Sequence, residues 1–525
     1  MVEMLTPLFV IFCPLIAAPL ILLLGKWPNI REGVSITAGI AAFSLVYSMI
    51  HPILDGDVIR CTLFQTLFRG IAVGFKVDSF GMLFALTSSS LWILVTLYSI
   101  GYMRSLKEHA QTRFFFSFAM AIFGAFGIAL SANLLTMFIF YEILTVSTYP
   151  LVIHDQTPEA LSAGRKYFAY LLTSGCFFLF GLMMVYYLTG TTDFTNNGGI
   201  AKLAALNPAH KWILIILFFC FLLGFMKAAW MPFHSWLPTA MIAPTPVSAL
   251  LHAVAVVKAG VFGILRIVCF IYGVDLMRDV HLVGAHINLG LVLACIAGVT
   301  MIVANLFAIA QDNLKRRLAY STINQLSYII LGAALLTKDG IQGAMMHIPF
   351  HGYMKITLFL CAGAIMVATG KKNISEMAGI GKTMPVTMLA FSVGALGMCG
   401  IPPVVGFISK WYLCLGSYQA FKTVSPEMII FLFVLLIASL LDVIYFFPII
   451  HTAFFKEPEG AVGAPQQLKE APLSMVIPLA ITAIFSIIFF LAFFLRSVEQ
   501  LAPYANMLSL HIYDLVEIAI MNVGV

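Results

Sequence analysis

The stretch Lys227-Ala228-Ala229-Trp230-Met231-Pro232-Phe233-His234-Ser235-Trp236-Leu237-Pro238 follows an apolar run that starts near Trp212. The lysine and the first proline arrive where a helix crossing a bilayer is still inside it. Proline removes a backbone hydrogen bond and breaks the rod. In hydrocarbon the freed carbonyls need partners, so such a break belongs beside protein or a water-filled cavity. A second run is interrupted in the same way, by Gly400-Ile401-Pro402-Pro403 followed by Gly406 and Lys410-Trp411. The two breaks lie five apolar spans apart, and an odd offset inverts a repeat unit across the membrane. Broken helices at matching places in inverted halves point to a transport pathway.

Composition agrees. Of the 525 residues, 61% are hydrophobic and 10% charged, with mean hydropathy +1.00. Soluble chains carry about 45–50% apolar and about 25% charged residues, so a water-covered globule is excluded. The reading is an all-α polytopic membrane protein of about fourteen spans. They run over 5–25, 33–52, 78–101, 112–131, 134–153, 160–189, 212–231, 245–272, 287–309, 318–336, 341–368, 384–414, 428–451 and 472–496. The segment 503–523, with His511, Asp514 and Glu517, is read as an interfacial amphipathic helix. The sixth span has a start signal in Thr157-Pro158-Glu159. Only Ala132 and Asn133 separate spans four and five. The first span lacks a basic leader and a cleavage site, so it is expected to be retained.

Twenty-five of the 29 basic residues are assigned to loops. Fifteen follow odd-numbered spans, against ten after even-numbered ones, a group that includes Arg69, Lys202 and Arg266. The positive-inside rule then places both termini outside the cytoplasm. The net charge of +6 is therefore topological and implies no nucleic-acid partner. The nine cysteines are scattered, without metal or iron–sulfur spacing, and no nucleotide-binding motif follows a strand. The expectation is a transporter subunit with no cofactor, no metal and no catalytic chemistry of its own.

Lys227, Lys258, Lys355 and Lys410 fall within apolar spans, as do Glu142 and Asp442. At about 2.5–3.5 kcal/mol per charge, six would cost on the order of 15–20 kcal/mol against lipid. Lys410 or Asp442 taken singly fits a side chain reaching back to the headgroups. That explanation does not cover the set. His347, His351 and Lys355 stand at i, i+4 and i+8 on one helix face, subject to a kink at Pro349. Ser321, Asn324, Gln325 and Tyr328 form a polar stripe in span ten. His252 precedes Lys258 by six residues, off its face, and fits a core histidine equally well. His234 is read as structural. Lysines and histidines strung beside a carboxylate suit proton movement, because a buried lysine changes protonation as its partner approaches or retreats.

These residues resemble a known family. Phe140-Tyr141-Glu142, the stretch from Lys227 to Pro238, Pro244-Thr245-Pro246-Val247-Ser248-Ala249-Leu250-Leu251-His252-Ala253 and Lys315-Arg316-Arg317-Leu318-Ala319-Tyr320-Ser321-Thr322-Ile323 are similar to the antiporter-like subunits of respiratory complex I. That family includes the Mrp-type cation/proton antiporters and membrane-bound hydrogenases. The resemblance covers roughly residues 70–450. It implies fourteen helices with two inverted five-helix repeats and broken helices seven and twelve, at Pro232 and Pro238 and at Pro402 and Pro403. The implied division is 1–111, 112–272 (first repeat), 273–451 (second repeat) and 452–525. It further implies an ion-pair switch of Glu142 with Lys227, and a proton axis continuing through His252, Lys258, His347, His351 and Lys355 to Lys410. The run from Glu142 to His154 most resembles the D-type component of Mrp antiporters. The implied setting is a bacterial or archaeal cytoplasmic membrane. Implied partners are other integral membrane subunits, the lipid bilayer, protons, and Na+ or K+ as candidate counter-cations. Proton-pumping subunits of NADH–quinone oxidoreductases or membrane-bound hydrogenases, and membrane partners in inorganic-carbon uptake, are the alternatives.

Overall fold

The computed structural model describes residues 2–68, 71–196, 198–200, 211–282, 287–457 and 468–524. Arg69 and Lys202 lie outside the described residues. The long helices are α1 (Thr6–Leu23), α2 (Pro28–Ser48), α3 (Ser79–Ser105), α4 (Gln111–Ala129), α5 (Leu134–Val152), α6 (Pro158–Thr189) and α7 (Lys211–Gly224). They continue as α8 (Thr245–Tyr272), α9 (Leu289–Ala310), α10 (Leu314–Ala334), α11 (Lys338–Thr369), α12 (Pro385–Cys399), α13 (Gly406–Thr423), α14 (Ile429–Phe455) and α15 (Leu473–Leu495). A short α16 (Ile512–Val523) follows and, at 12 residues, cannot cross a bilayer core. Among the described residues, 11 helices are long and apolar enough to cross a membrane. The chain is an integral membrane protein of helical fold. α10 misses that criterion because Lys315, Arg316, Arg317, Asn324 and Gln325 lower its hydropathy, yet most of it is buried in the bundle.

α8 is buried along its whole length, whereas α1, α2 and α14 turn most of their residues outward. Outward-facing Leu, Ile and Phe, such as Phe9, Phe433 and Leu440, suit a hydrocarbon surround. The start signal of the sixth span is realised: Thr157 Oγ1 accepts from Ala160 N at 3.1 Å, with Pro158 in the first turn. Asn133 turns the α4–α5 hairpin by accepting from Thr136 N at 2.8 Å and donating to Ala72 O at 2.8 Å.

The segment before α3, expected as a loop, instead forms strands β2 (Ile59–Phe68) and β3 (Ile71–Val77), with β1 (Val2–Glu3) pairing parallel to β2. Its signal is present in the sequence. Ile71, Val73, Phe75 and Val77 alternate and point inward. His51 and His511 rings lie 6.2 Å apart, so the N- and C-terminal segments occupy the same end of the bundle as this sheet.

Arg266 also departs from expectation. It is not in a loop but in α8, with 1% exposure. Its guanidinium grips Asp78 through two bonds, Nη1 to Oδ2 at 2.5 Å and Nη2 to Oδ1 at 2.7 Å. Four phenylalanine rings (Phe80, Phe194, Phe262 and Phe270) surround it at 4.8–5.1 Å. Asp78 also caps α3 by accepting from Gly81 N at 2.7 Å. Asp78→Ala strands a buried cation, and the expected loss is about 3–5 kcal/mol. Thermal unfolding in detergent checks this. The double variant Asp78→Leu with Arg266→Met should recover most of the loss, and a single variant as stable as wild type would contradict the account.

Candidate functional site: a buried cation axis

α7 stops at Gly224 because the Lys227–Pro238 stretch cannot continue it, and a short 3₁₀ turn, Met226–Ala228, follows. Side chains replace the lost backbone bonds. Trp230 Nε1 donates to Leu222 O at 3.1 Å and Trp236 Nε1 to Met226 O at 3.1 Å. Tyr141 Oη and Ser174 Oγ both donate to Gly224 O, at 2.9 and 2.5 Å. The two tryptophans of the motif are thus built-in donors for the broken helix.

Lys227 sits on this turn, fully buried. Its ammonium donates to Tyr141 O at 2.5 Å and lies 3.2 Å from the centre of the Tyr141 ring. Gly260 of α8 packs directly on the Lys227–Ala228 backbone, where any Cβ would overlap it. Glu142, the neighbour of Tyr141, lies against Gly175 of α6. Its Oε1 has no hydrogen-bond partner. Glu142 also borders a crevice of about 510 Å³ between α4 and α5, lined by Phe116, Met120 and Val146. Among the described residues no ion pair joins Glu142 to Lys227. The expected Glu142–Lys227 ion pair is therefore not formed: the carboxylate rests against Gly175 and the ammonium on Tyr141.

The second break is built differently. α12 ends at Gly400, which has φ +80°, and α13 starts at Gly406. Lys410, one turn into α13, reaches back across the gap and donates to Met398 O at 2.7 Å. Its ammonium also pairs with Asp442 Oδ2 at 2.9 Å. Asp442 receives Asn324 Nδ2 (2.7 Å), Gln325 Nε2 (2.9 Å) and Tyr445 Oη (2.6 Å). Lys410 is 7% exposed and Asp442 fully buried. Neither side chain reaches for headgroups, so the snorkelling option does not apply.

α11 supplies the middle of the axis. Lys258 Nζ lies 2.8 Å from His351 Nδ1 and donates to Ile348 O at 2.8 Å. The His351 ring stacks on His347, centroids 5.9 Å apart. His347 bonds Ser409 Oγ through Nδ1 at 2.8 Å and Gln325 Oε1 through Nε2 at 3.0 Å. Gln325 in turn bonds Asp442. A nearly continuous line therefore runs Lys258–His351–His347–Gln325–Asp442–Lys410, and α11 holds straight enough through Pro349 for the two histidines to stack. Lys355 and His252 do not join it by direct bonds. Lys355 Nζ and both ring nitrogens of His252 are fully buried without a hydrogen-bond partner. Lys355 faces the Phe446 ring at 6.0 Å and His252 packs on Phe359 at 4.7 Å. His252 occupies a π-helical turn, Leu250–Val254, and such turns recur at functional sites.

The polar stripe of span ten lands on this axis: Asn324 and Gln325 on Asp442, and Tyr328 with its ring centre 4.5 Å from the Lys410 ammonium. Asp442 and Tyr141 are not among the expected site residues. A lone carboxylate in an apolar span is the signal for the first. A backbone carbonyl acting as the lysine's acceptor leaves no signal for the second.

At the end of the bundle away from the sheet a polar vestibule of about 870 Å³ opens, lined by Glu108, Asp155, Glu159, Lys166, Lys315 and Lys372 among others. Lys315 Nζ donates to Ala243 O at 2.5 Å, fixing the segment that leads into α8. Ser248, one turn before His252, carries a buried hydroxyl without a partner. Burial, and then the nearby Asp155 charge, push the Glu108 carboxyl above its ordinary range.

Residues 131–441 match the family described as NADH:quinone oxidoreductase/Mrp antiporter, TM, and residues 69–115 match the N-terminus of complex I chain 5. NADH-quinone oxidoreductase subunit N of Desulforudis audaxviator is 32% identical over 402 residues, covering 74% of this chain and 76% of that protein. A putative antiporter subunit mnhA2 of Staphylococcus aureus is 31% identical over 442 residues, 80% of this chain, which spans about half (53%) of that relative's length. Among solved structures, a chain of the Mrp complex from Dietzia sp. DQ12-45-1b superposes with TM-score 0.80 at 21% identity, covering 98% of this chain and 99% of that chain. A chain of the membrane-bound sulfane sulfur reductase, an archaeal respiratory membrane complex, superposes with TM-score 0.79 at 23% identity over the same shares. At these identities the two structures establish a shared fold. By its matched residues and its relatives, the chain belongs to the NADH:quinone oxidoreductase/Mrp antiporter family of membrane subunits.

Proposed function

We propose that the chain is the proton-translocating component of a multi-subunit monovalent cation/proton antiporter, of the D type found in Mrp antiporters. Protons move along the axis of Glu142, Lys227, His252, Lys258, His347, His351, Lys355 and Lys410. One observation carries the reading: a line of buried polar groups runs from Lys258 on α8, through α11 and α10, to Lys410 on the second broken helix, and α8 packs through Gly260 on the turn that holds Lys227 of the first. Such groups are costly inside a membrane and mark ion pathways by default. Lys227 and Glu142 stand close without pairing, which suits a switch that closes and opens. Lys410 is held by Asp442, which suits a charge released only when its partner is neutralised. Between these ends Lys355, His252 and His351 Nε2 offer open hydrogen-bonding atoms, where water would complete the relay.

The matched breaks at Lys227–Pro238 and Gly400–Gly406 support two inverted five-helix repeats, 112–272 and 273–451, flanked by 1–111 and 452–525. Placing the vestibule, with its basic residues, in the cytoplasm puts both termini outside a bacterial or archaeal cytoplasmic membrane. Na+ or K+ would be the exchanged cation. The second reading, a proton pump arm of a redox-driven complex, is favoured by the fuller coverage of the quinone oxidoreductase relative than of the antiporter relative. The tagged complex, drawn from native membranes in mild detergent, separates them. Small membrane proteins without chromophores support the antiporter, and iron–sulfur or flavin subunits support the pump arm.

In proteoliposomes holding the assembled complex, Glu142→Ala and Lys227→Ala should each lower proton flux to background while the complex stays intact. Wild-type flux in either would overturn the assignment. Asp442→Ala should destabilise the protein by about 3–5 kcal/mol, because the Lys410 ammonium loses its partner. The double variant Asp442→Leu with Lys410→Met should regain only the part of the stability lost to the stranded ammonium, because Asn324, Gln325 and Tyr445 still lose their acceptor, and should not regain flux. Thermal unfolding and flux measured on one preparation check both halves of that expectation.

A further inference from the structure

At the rim of the vestibule, the loop between α3 and α4 meets the turn after α5. Glu108, His109 and His154 converge there, with one ligand atom from each lying within 4.8 Å of the others. Glu108 Oε2 is 3.9 Å from His154 Nε2 and 3.9 Å from His109 Nδ1. The two imidazoles lie 4.7 Å apart. His154 is fully buried, and its ring nitrogens have only a weak contact with the His109 backbone and the 3.9 Å approach of Glu108, short of a well-formed hydrogen bond. Leaving a buried polar group unpaired costs about 1–3 kcal/mol, and native proteins seldom accept that without a reason. The ring is not free to turn away. Phe114 packs edge-on against it at 5.8 Å, and Arg113 Nη2 donates to the His154 carbonyl at 2.9 Å. Asp155, the next residue, lines the same cavity as Glu108 and adds a second carboxylate.

We infer that Glu108, His109 and His154 form a binding site for a divalent transition cation, with Zn2+ the best chemical match. Two imidazole nitrogens and a carboxylate oxygen suit a borderline-soft tetrahedral ion, whereas Ca2+ and Mg2+ take oxygen ligands. Three protein ligands leave a fourth position open for water. Bonds of about 2.0–2.2 Å place neighbouring ligand atoms about 3.3–3.5 Å apart. The two 3.9 Å separations therefore need to close by about half an ångström, and the two imidazole nitrogens, which lie within 4.8 Å, by up to about 1.4 Å. Half-exposed His109 and part-exposed Glu108 have the freedom to do it, while buried His154 is the fixed anchor. A bound ion ties the α3–α4 loop to the turn after α5. The site stands on its own geometry and does not depend on what crosses the membrane.

The test uses the purified complex carrying a tag without histidine, stripped with chelator and titrated with Zn2+ by calorimetry and metal analysis. Wild type should show a Zn2+ site that weakens by about 10–100-fold or more in His109→Gln and in Glu108→Gln. Both residues are accessible enough to replace without disturbing the core. Replacing Zn2+ by Co2+ should give a tetrahedral visible spectrum in wild type that both variants lose. Zn2+ binding of equal affinity in wild type and both variants, or no binding by wild type, would overturn the site.

Discussion

An ammonium group inside an apolar bundle must be given its partner by the protein, because hydrocarbon supplies none. This constraint organises the whole interior. Lys227 is answered by a backbone carbonyl and an aromatic face, Lys258 by a histidine and a carbonyl, and Lys410 by a carboxylate that itself receives three further donors. Arg266 is answered by Asp78 within a ring of phenylalanines. α8 and α10 are buried in the bundle for the same reason: they carry these charges and the polar partners of their neighbours, so the other helices must enclose them.

The broken helices solve two problems at once. Ending α7 early frees carbonyls that tryptophan, tyrosine and serine side chains then satisfy, and it sets Lys227 on a turn rather than on a rigid helix face. Ending α12 early frees Met398 O, which Lys410 and Gln325 share. The two solutions are related but not identical. The first leaves its carboxylate, Glu142, apart from the lysine, while the second closes the pair. An open pair at one broken helix and a closed pair at the other make the two halves of the bundle electrostatically unequal.

Much of this is legible in the sequence. Helix ends at Thr157 and Asn133, the two breaks and the stacking of His347 on His351 follow from spacing and from the chemistry of proline and the capping residues. The polar stripe of span ten points to the axis by its periodicity alone. What escapes does so for physical reasons. The β2–β3 hairpin is short and lies beside long apolar runs that dominate a hydropathy reading. Arg266 reads as a loop residue when its charge is weighed without its distant partner, and Asp78 lies 188 positions away. Tyr141 acts on Lys227 through its backbone and ring, and no spacing rule announces that. The Glu142–Lys227 pairing, drawn from family resemblance, is the point at which the geometry holds back: the carboxylate rests on Gly175 instead.

In the mechanism proposed above, protons pass between the two broken helices along the buried line from Lys258 to Lys410, with His347 as the bridge from the α8 lysine to the Gln325–Asp442–Lys410 cluster. The most direct measurement is proton flux through the assembled complex in proteoliposomes with His347→Phe, which keeps the ring's volume and removes its nitrogens. Flux at background in an intact complex is the predicted result. Flux equal to wild type would contradict the mechanism and would place the pathway elsewhere in the bundle.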